Sequence, residues 1–288
     1  MLLYGVVATG VAAVSCAAVL IRLADAPALA IAAYRLGLAS LVVAPLAVSR
    51  DWRGLRSLTF TQALWCLASA LALAVHFAAW IASLEHTSVA SSVVLVTTSP
   101  LLIAAVSYVA YRERLTAPLA GGIALGLVGS LVLALGDRAA GERELFGDLL
   151  ALIGAVGSAA YFLIGRRVRR QMSNVSYIGI VYPACAVALL AAVAATGTSM
   201  TGYGAFTFAM IALIALGPQL LGHSSLNWAL GHMSATLVAV AVMAEPVGAT
   251  ILAWLVLGEA PPSTSVAGGG LVLAGVYLAF RRPAASAP

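Results

Sequence analysis

The sequence predicts an all-α membrane protein: ten transmembrane helices arranged as two inverted five-helix repeats. Three observations carry that expectation. Of 288 residues, 62% are hydrophobic and only 9% charged, with a mean hydropathy of +1.05, whereas a soluble domain carries roughly a quarter charged residues; a water-soluble fold is excluded. Apolar runs of about 20 residues, the length that crosses a hydrocarbon layer, follow one another with short breaks. The second half of the chain repeats features of the first.

The first span, 2–20, has no arginine before it and nine spans after it, so it is expected to remain as a helix and not to be cleaved as a signal peptide. The second, 27–48, ends before Arg50, Arg53 and Arg56. The third and fourth, 63–83 and 88–110, are followed by Arg112, Glu113 and Arg114. The fifth, 117–135, is rich in Gly and Leu and nearly free of polar groups. The sixth, 147–165, runs into Arg166, Arg167, Arg169 and Arg170. The seventh to tenth lie at 175–195, 206–230, 236–257 and 265–280, and the last resembles the fifth in composition.

Net charge is +5, from 15 arginines and no lysine against 10 acids. With the N-terminus in the cytoplasm, the inner connections and the tail with Arg281 and Arg282 hold 11 of the 15. The outer connections hold only Arg22, Arg138 and Arg143, and Arg35 lies inside the second span. The positive-inside rule thus puts both termini in the cytoplasm. The basic charge reflects orientation and attraction to anionic lipid headgroups, so no nucleic-acid partner is expected. Cys16, Cys66 and Cys185 sit in apolar runs without metal-ligand spacing, and neither a disulfide framework, a metal nor a cofactor is expected.

Residues 84–131 lie on 230–277 at a constant shift of 146. Leu84, His86 and Ser88 pair with Leu230, His232 and Ser234; Pro100 with Pro246; Glu113 with Glu259; Gly122 and Gly129 with Gly268 and Gly275. Pro, Glu, His and Gly matches at one shift are hard to obtain by chance, even in an apolar chain. Five helices is an odd number, so the second unit, 139–288, enters the membrane upside down relative to the first, 1–138. In such inverted repeats the substrate site lies near the midplane between the halves.

The stretch His76-Phe77-x-x-Trp80-Ile81-x-Ser83-Leu84, then Thr87-Ser88-Val89-Ala90, Ser99-Pro100 and Arg112-Glu113-Arg114 resembles the third and fourth helices of an EamA-type repeat. The second half echoes it in Asn227-Trp228-Ala229-Leu230, Glu245-Pro246 and Gly258-Glu259. Nearly the whole chain is similar to ten-helix members of the drug/metabolite transporter superfamily. The resemblance implies a transporter, and bacterial members include exporters of amino acids and related metabolites. Phosphate-handling branches commonly place lysine in the pathway, a residue this chain lacks.

Polar side chains inside the membrane need a partner or water, which makes them the candidates for substrate contact. Gln219, His223 and Asn227 recur every fourth residue and stack on one helical face. They either line a cavity or join neighbouring helices by hydrogen bonds. His76, Trp80, Ser83 and Thr87 share a face of the third span, the repeat mate of the eighth, so the two polar faces are expected to meet. Trp80 either stacks on a substrate or sits in the interfacial belt, and His76 either binds substrate or is a satisfied core histidine. Thr97, Thr98 and Ser99 precede Pro100, which removes a donor and displaces the Val96 carbonyl. That acceptor serves substrate, or neighbouring hydroxyls mend the kink. Tyr161 and Tyr182 either face the cavity or pack, with Gly154, Gly157 and Gly165 favouring an interior place for Tyr161. Arg35 either pairs with a substrate carboxylate or snorkels towards Asp25, and the interface is its expected place. Glu245, directly before Pro246, is the only acid well inside a span. Burial disfavours a carboxylate's charged form, so Glu245 either couples a proton, holds a substrate amino group, or stays protonated against a carbonyl.

A cavity lined by spans 1, 3, 4, 6, 8 and 9 is expected, with spans 5 and 10 at the rim or in a dimer contact. The partners are then a small-molecule substrate and membrane lipid, and the protein a monomer or homodimer. Secondary export of a small polar or zwitterionic metabolite leads, with a lipid or drug flippase on the same scaffold as the alternative. HExxH and GxSxG are absent and all four aspartates lie in or beside loops, which argues against a membrane-embedded enzyme. Without a P-loop, ATP does not drive the chain directly.

Overall fold

The structure, a computed structural model, describes residues 1–111, 116–135, 142–258, 260–261 and 263–281. Arg112, Glu113, Arg114, Arg138, Glu259 and Arg282, used above for topology and repeat, lie outside them. Eight helical spans are long and apolar enough to cross a membrane, and Ala117–Val132 and Val266–Phe280 are shorter apolar helices. These ten correspond to the expected ten. In order they are α1 (Leu2–Ser15) with α2 (Ala17–Leu23); α3 (Ala28–Arg56); α4 (Phe60–Ser83); α5 (Val89–Val96) with α6 (Ser99–Tyr111); and α7 (Ala117–Leu135), closing the first half. The second half holds α8 (Glu142–Arg169); α9 (Asn174–Thr196); α10 (Ala205–Ile214), a π-helix (Ala215–His223) and α11 (Ser224–Leu230); α12 (Ala235–Val242) with α13 (Glu245–Leu257); and α14 (Ser263–Phe280).

Caps set the ends. Thr59 and Gln62 form a reciprocal capping box that opens α4. Ser88 and Ser234, repeat mates, each accept a backbone N–H at the start of α5 and α12. Pro27 precedes α3, whose Ala28 N–H donates to Glu85 Oε1 at 2.9 Å; this ties the connection after α4 to the second span. Gly197 and Gly258 take left-handed φ of 66° and 72° to end α9 and α13.

The breaks in the spans correct the expectation of continuous, proline-kinked helices. The fourth span stops at Val96 and restarts at Ser99, and the ninth stops at Val242 and restarts at Glu245. Pro100 and Pro246 therefore stand in the first turn of a new helix, where a missing N–H costs nothing, and do not bend an intact one. At the first break Thr97 Oγ1 donates to the Val93 carbonyl at 2.8 Å and Thr98 Oγ1 to that of Leu95 at 2.7 Å, so hydroxyls take up freed acceptors. In the eighth span Pro218 falls inside a segment that widens to i→i+5 bonding, as in Ser224 N–H to the Gln219 carbonyl.

The inversion is visible in the fifth and tenth spans. A Cβ on Gly122 would come within 2.6 Å of the Gly275 carbonyl oxygen, and one on Gly129 within 2.6 Å of that of Gly268. Gly122 is the repeat mate of Gly268, and Gly129 of Gly275, so each meets the other's mate. Such a cross-match is what a two-fold relation between two like surfaces produces. α7 and α14 thereby spend their glycine faces on each other. Elsewhere α8 crosses α4 closely, since a Cβ on Gly157 would lie 2.8 Å from His76 N.

Candidate functional site

Between the halves lies a narrow cavity of about 30 Å³, room for about one water. Its wall comprises Val14 and Ala17 of the first span, Arg35 of α3, His76 and Trp80 of α4, Val96, Thr97 and Ser99, Ser158 and Phe162 of α8, His223, Leu226, Val242 and Glu245. Spans 1, 3, 4, 6, 8 and 9 contribute as expected from the repeat, and the second span joins them through Arg35.

His76 reaches the cavity because the glycines of α8 let the two helices close up. Its Nδ1 lies 2.9 Å from the Gly154 carbonyl, which orients the ring and directs its other edge away from that contact. Trp80, buried and 3% exposed, stacks on His76 with ring centroids 5.9 Å apart and planes 3° apart. It stands on the cavity wall, not in an interfacial belt. His223 approaches from the opposite half, 6.2 Å from His76 and 5.1 Å from Phe77 by ring centroids. The polar faces of the third and eighth spans therefore meet.

The eighth-span triad does not act as one face. Gln219 turns to α3 and accepts from Arg35 Nε at 2.7 Å; His223 faces the cavity. Asn227, one turn further, donates to Tyr161 Oη at 2.5 Å and lies 3.3 Å from Tyr182 Oη. Tyr161 stacks on Tyr177, whose hydroxyl lies 2.6 Å from Ser69 Oγ. Tyr161, Tyr182 and Asn227 thus form a buried hydrogen-bonded layer beside the cavity and outside its wall. Thr98 is also outside it: its hydroxyl is turned to its own helix, and Thr97 and Ser99 stand on the wall instead.

Arg35 corrects the sequence reading most sharply. It does not snorkel; it is 0% exposed, with its guanidinium carbon 4.0 Å from the Phe77 ring centroid. Gln219 was legible as a candidate, but its partner was not, because nothing in the local pattern tells which way a lone arginine turns. Glu245 is buried on the same wall at the start of α13, as Ser99 is at the start of α6. Two helix N-termini, each carrying partial positive charge, thus converge on the cavity from opposite halves. Discontinuous helices whose ends meet at the midplane are a recurrent way of building a transporter site.

At the end opposite the termini, a vestibule of about 800 Å³ is lined by residues including Ile21, Ile31, Ile81, Asp25, Glu85 and Tyr203. Ile31 is one turn from Arg35 and Ile81 follows Trp80, so vestibule and cavity draw on neighbouring positions of α3 and α4. The other end is held by two bonds within the second half, from Arg166 and Arg169, and by one between the halves, from Ser176 to Asp51. Arg166 donates to the Leu230 carbonyl at 2.7 Å, Arg169 Nε to that of Asn227 at 3.1 Å, and Ser176 Oγ to Asp51 Oδ2 at 2.7 Å.

The sequence profile of the EamA-like transporter family matches residues 1–135 and again 145–281. An uncharacterized transporter, YdfC, of Bacillus subtilis (strain 168) is 24% identical over 188 residues, 65% of this chain and 60% of that protein's length. A protein of known crystal structure superposes with a TM-score of 0.79 at 19% identity, over 96% of each chain; at that identity the likeness speaks to the fold alone.

Proposed function

The chain belongs to the EamA-like transporter family, and from that premise we propose that it is a secondary transporter exporting small polar or zwitterionic metabolites, amino acids among them. One observation carries the reading: polar side chains from both halves, His76, Trp80, His223, Ser99 and Glu245, close on a single mid-membrane cavity at the ends of broken helices. The units 1–138 and 139–288 rock about this cavity by alternating access. His76, Trp80 and His223 contact the substrate; Gln219 holds Arg35 in place; Tyr161, Asn227 and Thr98 brace the wall. Glu245 alternates between a proton and the substrate's amino group, so that a proton entering from outside displaces the cargo. Arg35, His76 and His223 are the charged or titratable neighbours that share its cavity.

The protein works without covalent chemistry or cofactor, in a bacterial inner membrane with both termini cytoplasmic. A monomer holds a complete pathway, and the glycine faces of α7 and α14 are used within the chain. The test is counterflow in proteoliposomes with radiolabelled amino acids, sugars, nucleosides and lipophilic cations. Amino-acid counterflow is expected; uptake confined to lipophilic cations favours the flippase alternative and removes this reading.

A further inference from the structure

Arg35 is a full charge enclosed in the middle of an apolar bundle, and its contacts are incomplete. Nε donates to Gln219 Oε1 at 2.7 Å, and Phe77 covers the guanidinium at 4.0 Å. Nη1 and Nη2, both buried, have no hydrogen-bond acceptor, and no carboxylate among the described residues contacts them. Glu245 shares the cavity wall with Arg35 without pairing with it. A buried cation left without a contacting counter-ion is costly, whereas a ligand that brings the counter-ion removes that cost each time it binds.

We propose that Arg35 is the receptor for a carboxylate on the transported molecule. Resting on the transport reading above, this assigns one end of the cargo to a named residue. Gln219 holds the Nε edge, and Phe77 lies against the guanidinium. The Nη1/Nη2 edge is the part left for a ligand, the planar fork that donates to both oxygens of a carboxylate at once. The N-termini of α6 and α13, at Ser99 and Glu245, add positive partial charge to the same space. A zwitterion then lies with its carboxylate on Arg35 and its amino group towards Glu245. Because the cavity holds only about 30 Å³, binding requires the halves to part.

The experiment takes the radiolabelled amino acid with the strongest counterflow. It compares, as unlabelled competitors, that acid, its primary amide, its decarboxylated amine and its des-amino acid. In the natural protein the acid is expected to compete at least about tenfold better than the amide or amine, as loss of a charged hydrogen-bonded contact predicts. Arg35→Gln should compete alike with acid and amide, and Arg35→Lys should keep a weaker preference for the acid, since lysine keeps the charge and loses the fork. Equal competition by acid and amide in the natural protein, or an undiminished preference in Arg35→Gln, overturns the proposal. If Arg35→Gln does not elute as a folded protein, the acid–amide comparison and Arg35→Lys decide. Counterflow of a carboxylate lacking an amino group supports Arg35 while removing the zwitterion reading. Counterflow of neutral sugars or nucleosides alone overturns Arg35 while a polar-metabolite transporter stands.

Discussion

Ser99 and Glu245 occupy the same place in the two halves, 146 residues apart: each is the first residue of a helix that starts mid-span, and both line the central cavity. A proline follows each. Duplication has left a neutral hydroxyl at one helix N-terminus and an ionisable carboxyl at the other. A site built symmetrically therefore carries its only acid on one side, which lets protonation distinguish otherwise similar surroundings.

Glu245→Gln keeps donor and acceptor but cannot titrate. The variant should retain substrate exchange, with weaker affinity for an amine-bearing cargo, and lose accumulation driven by a pH gradient. Proteoliposome uptake with and without an imposed gradient measures both. Undiminished gradient-driven accumulation would eliminate Glu245 as the coupling group.

His76→Ala and Asn227→Ala should part company. His76 faces the cavity, so its loss should weaken apparent affinity about two- to tenfold, the worth of one neutral hydrogen bond. Asn227 is outside the wall, and its removal strips a buried hydroxyl, that of Tyr161, of its partner. A cost of about 1–3 kcal/mol is expected there, read as a lower melting temperature in detergent. Tenfold weaker binding by Asn227→Ala at unchanged melting temperature contradicts this division of roles.

Two glycines give a matched pair. A Cβ at Gly275 would stand 2.6 Å from the backbone of Gly122 and Gly126, so Gly275→Val must push α7 and α14 apart, at about 1–3 kcal/mol for overpacking. Gly37, in α3, has nothing within 4 Å of its would-be Cβ. Gly37→Ala should be neutral or stabilising by about 0.5–1 kcal/mol, as alanine is the better helix former. Thermal melts of both variants check the packing, and equal stability of the two excludes it.

Orientation is open to cysteine labelling in a background without Cys16, Cys66 and Cys185. Arg169 is a poor probe position, being buried and bonded to Asn227; Gln171 and Thr201 are exposed. A membrane-impermeant maleimide should modify Gln171→Cys only from the cytoplasmic side and Thr201→Cys only from outside. The opposite pattern reverses the topology.

The spans, the duplication and the meeting of the third and eighth spans were legible because each is a one-dimensional signal. Hydropathy reports which segments leave water, and a constant shift reports common ancestry of the halves. Breaks in helices were half legible. The prolines marked where α6 and α13 begin, yet a proline that kinks a helix and one that starts a helix read alike until the hydrogen bonds are seen. Period-four spacing suggested that Gln219, His223 and Asn227 share one surface. That inference assumed regular α-geometry, and the π-helix around Pro218 changes the turn through which they project.

By itself the sequence determined the solvent, the number of crossings and the inverted pairing of the halves, because burial in lipid requires long apolar helices with internally satisfied backbones. Tertiary structure alone decided which polar groups meet. Arg35 was equally able to reach the interface or the interior. It turns inward because Gln219, brought from 184 residues away, supplies an acceptor and Phe77 an aromatic face. Tyr161 and Asn227 likewise bind each other and not the cavity. A buried polar side chain takes the partner that packing presents to it, and packing depends on the rotation and crossing of helices that sequence spacing does not encode.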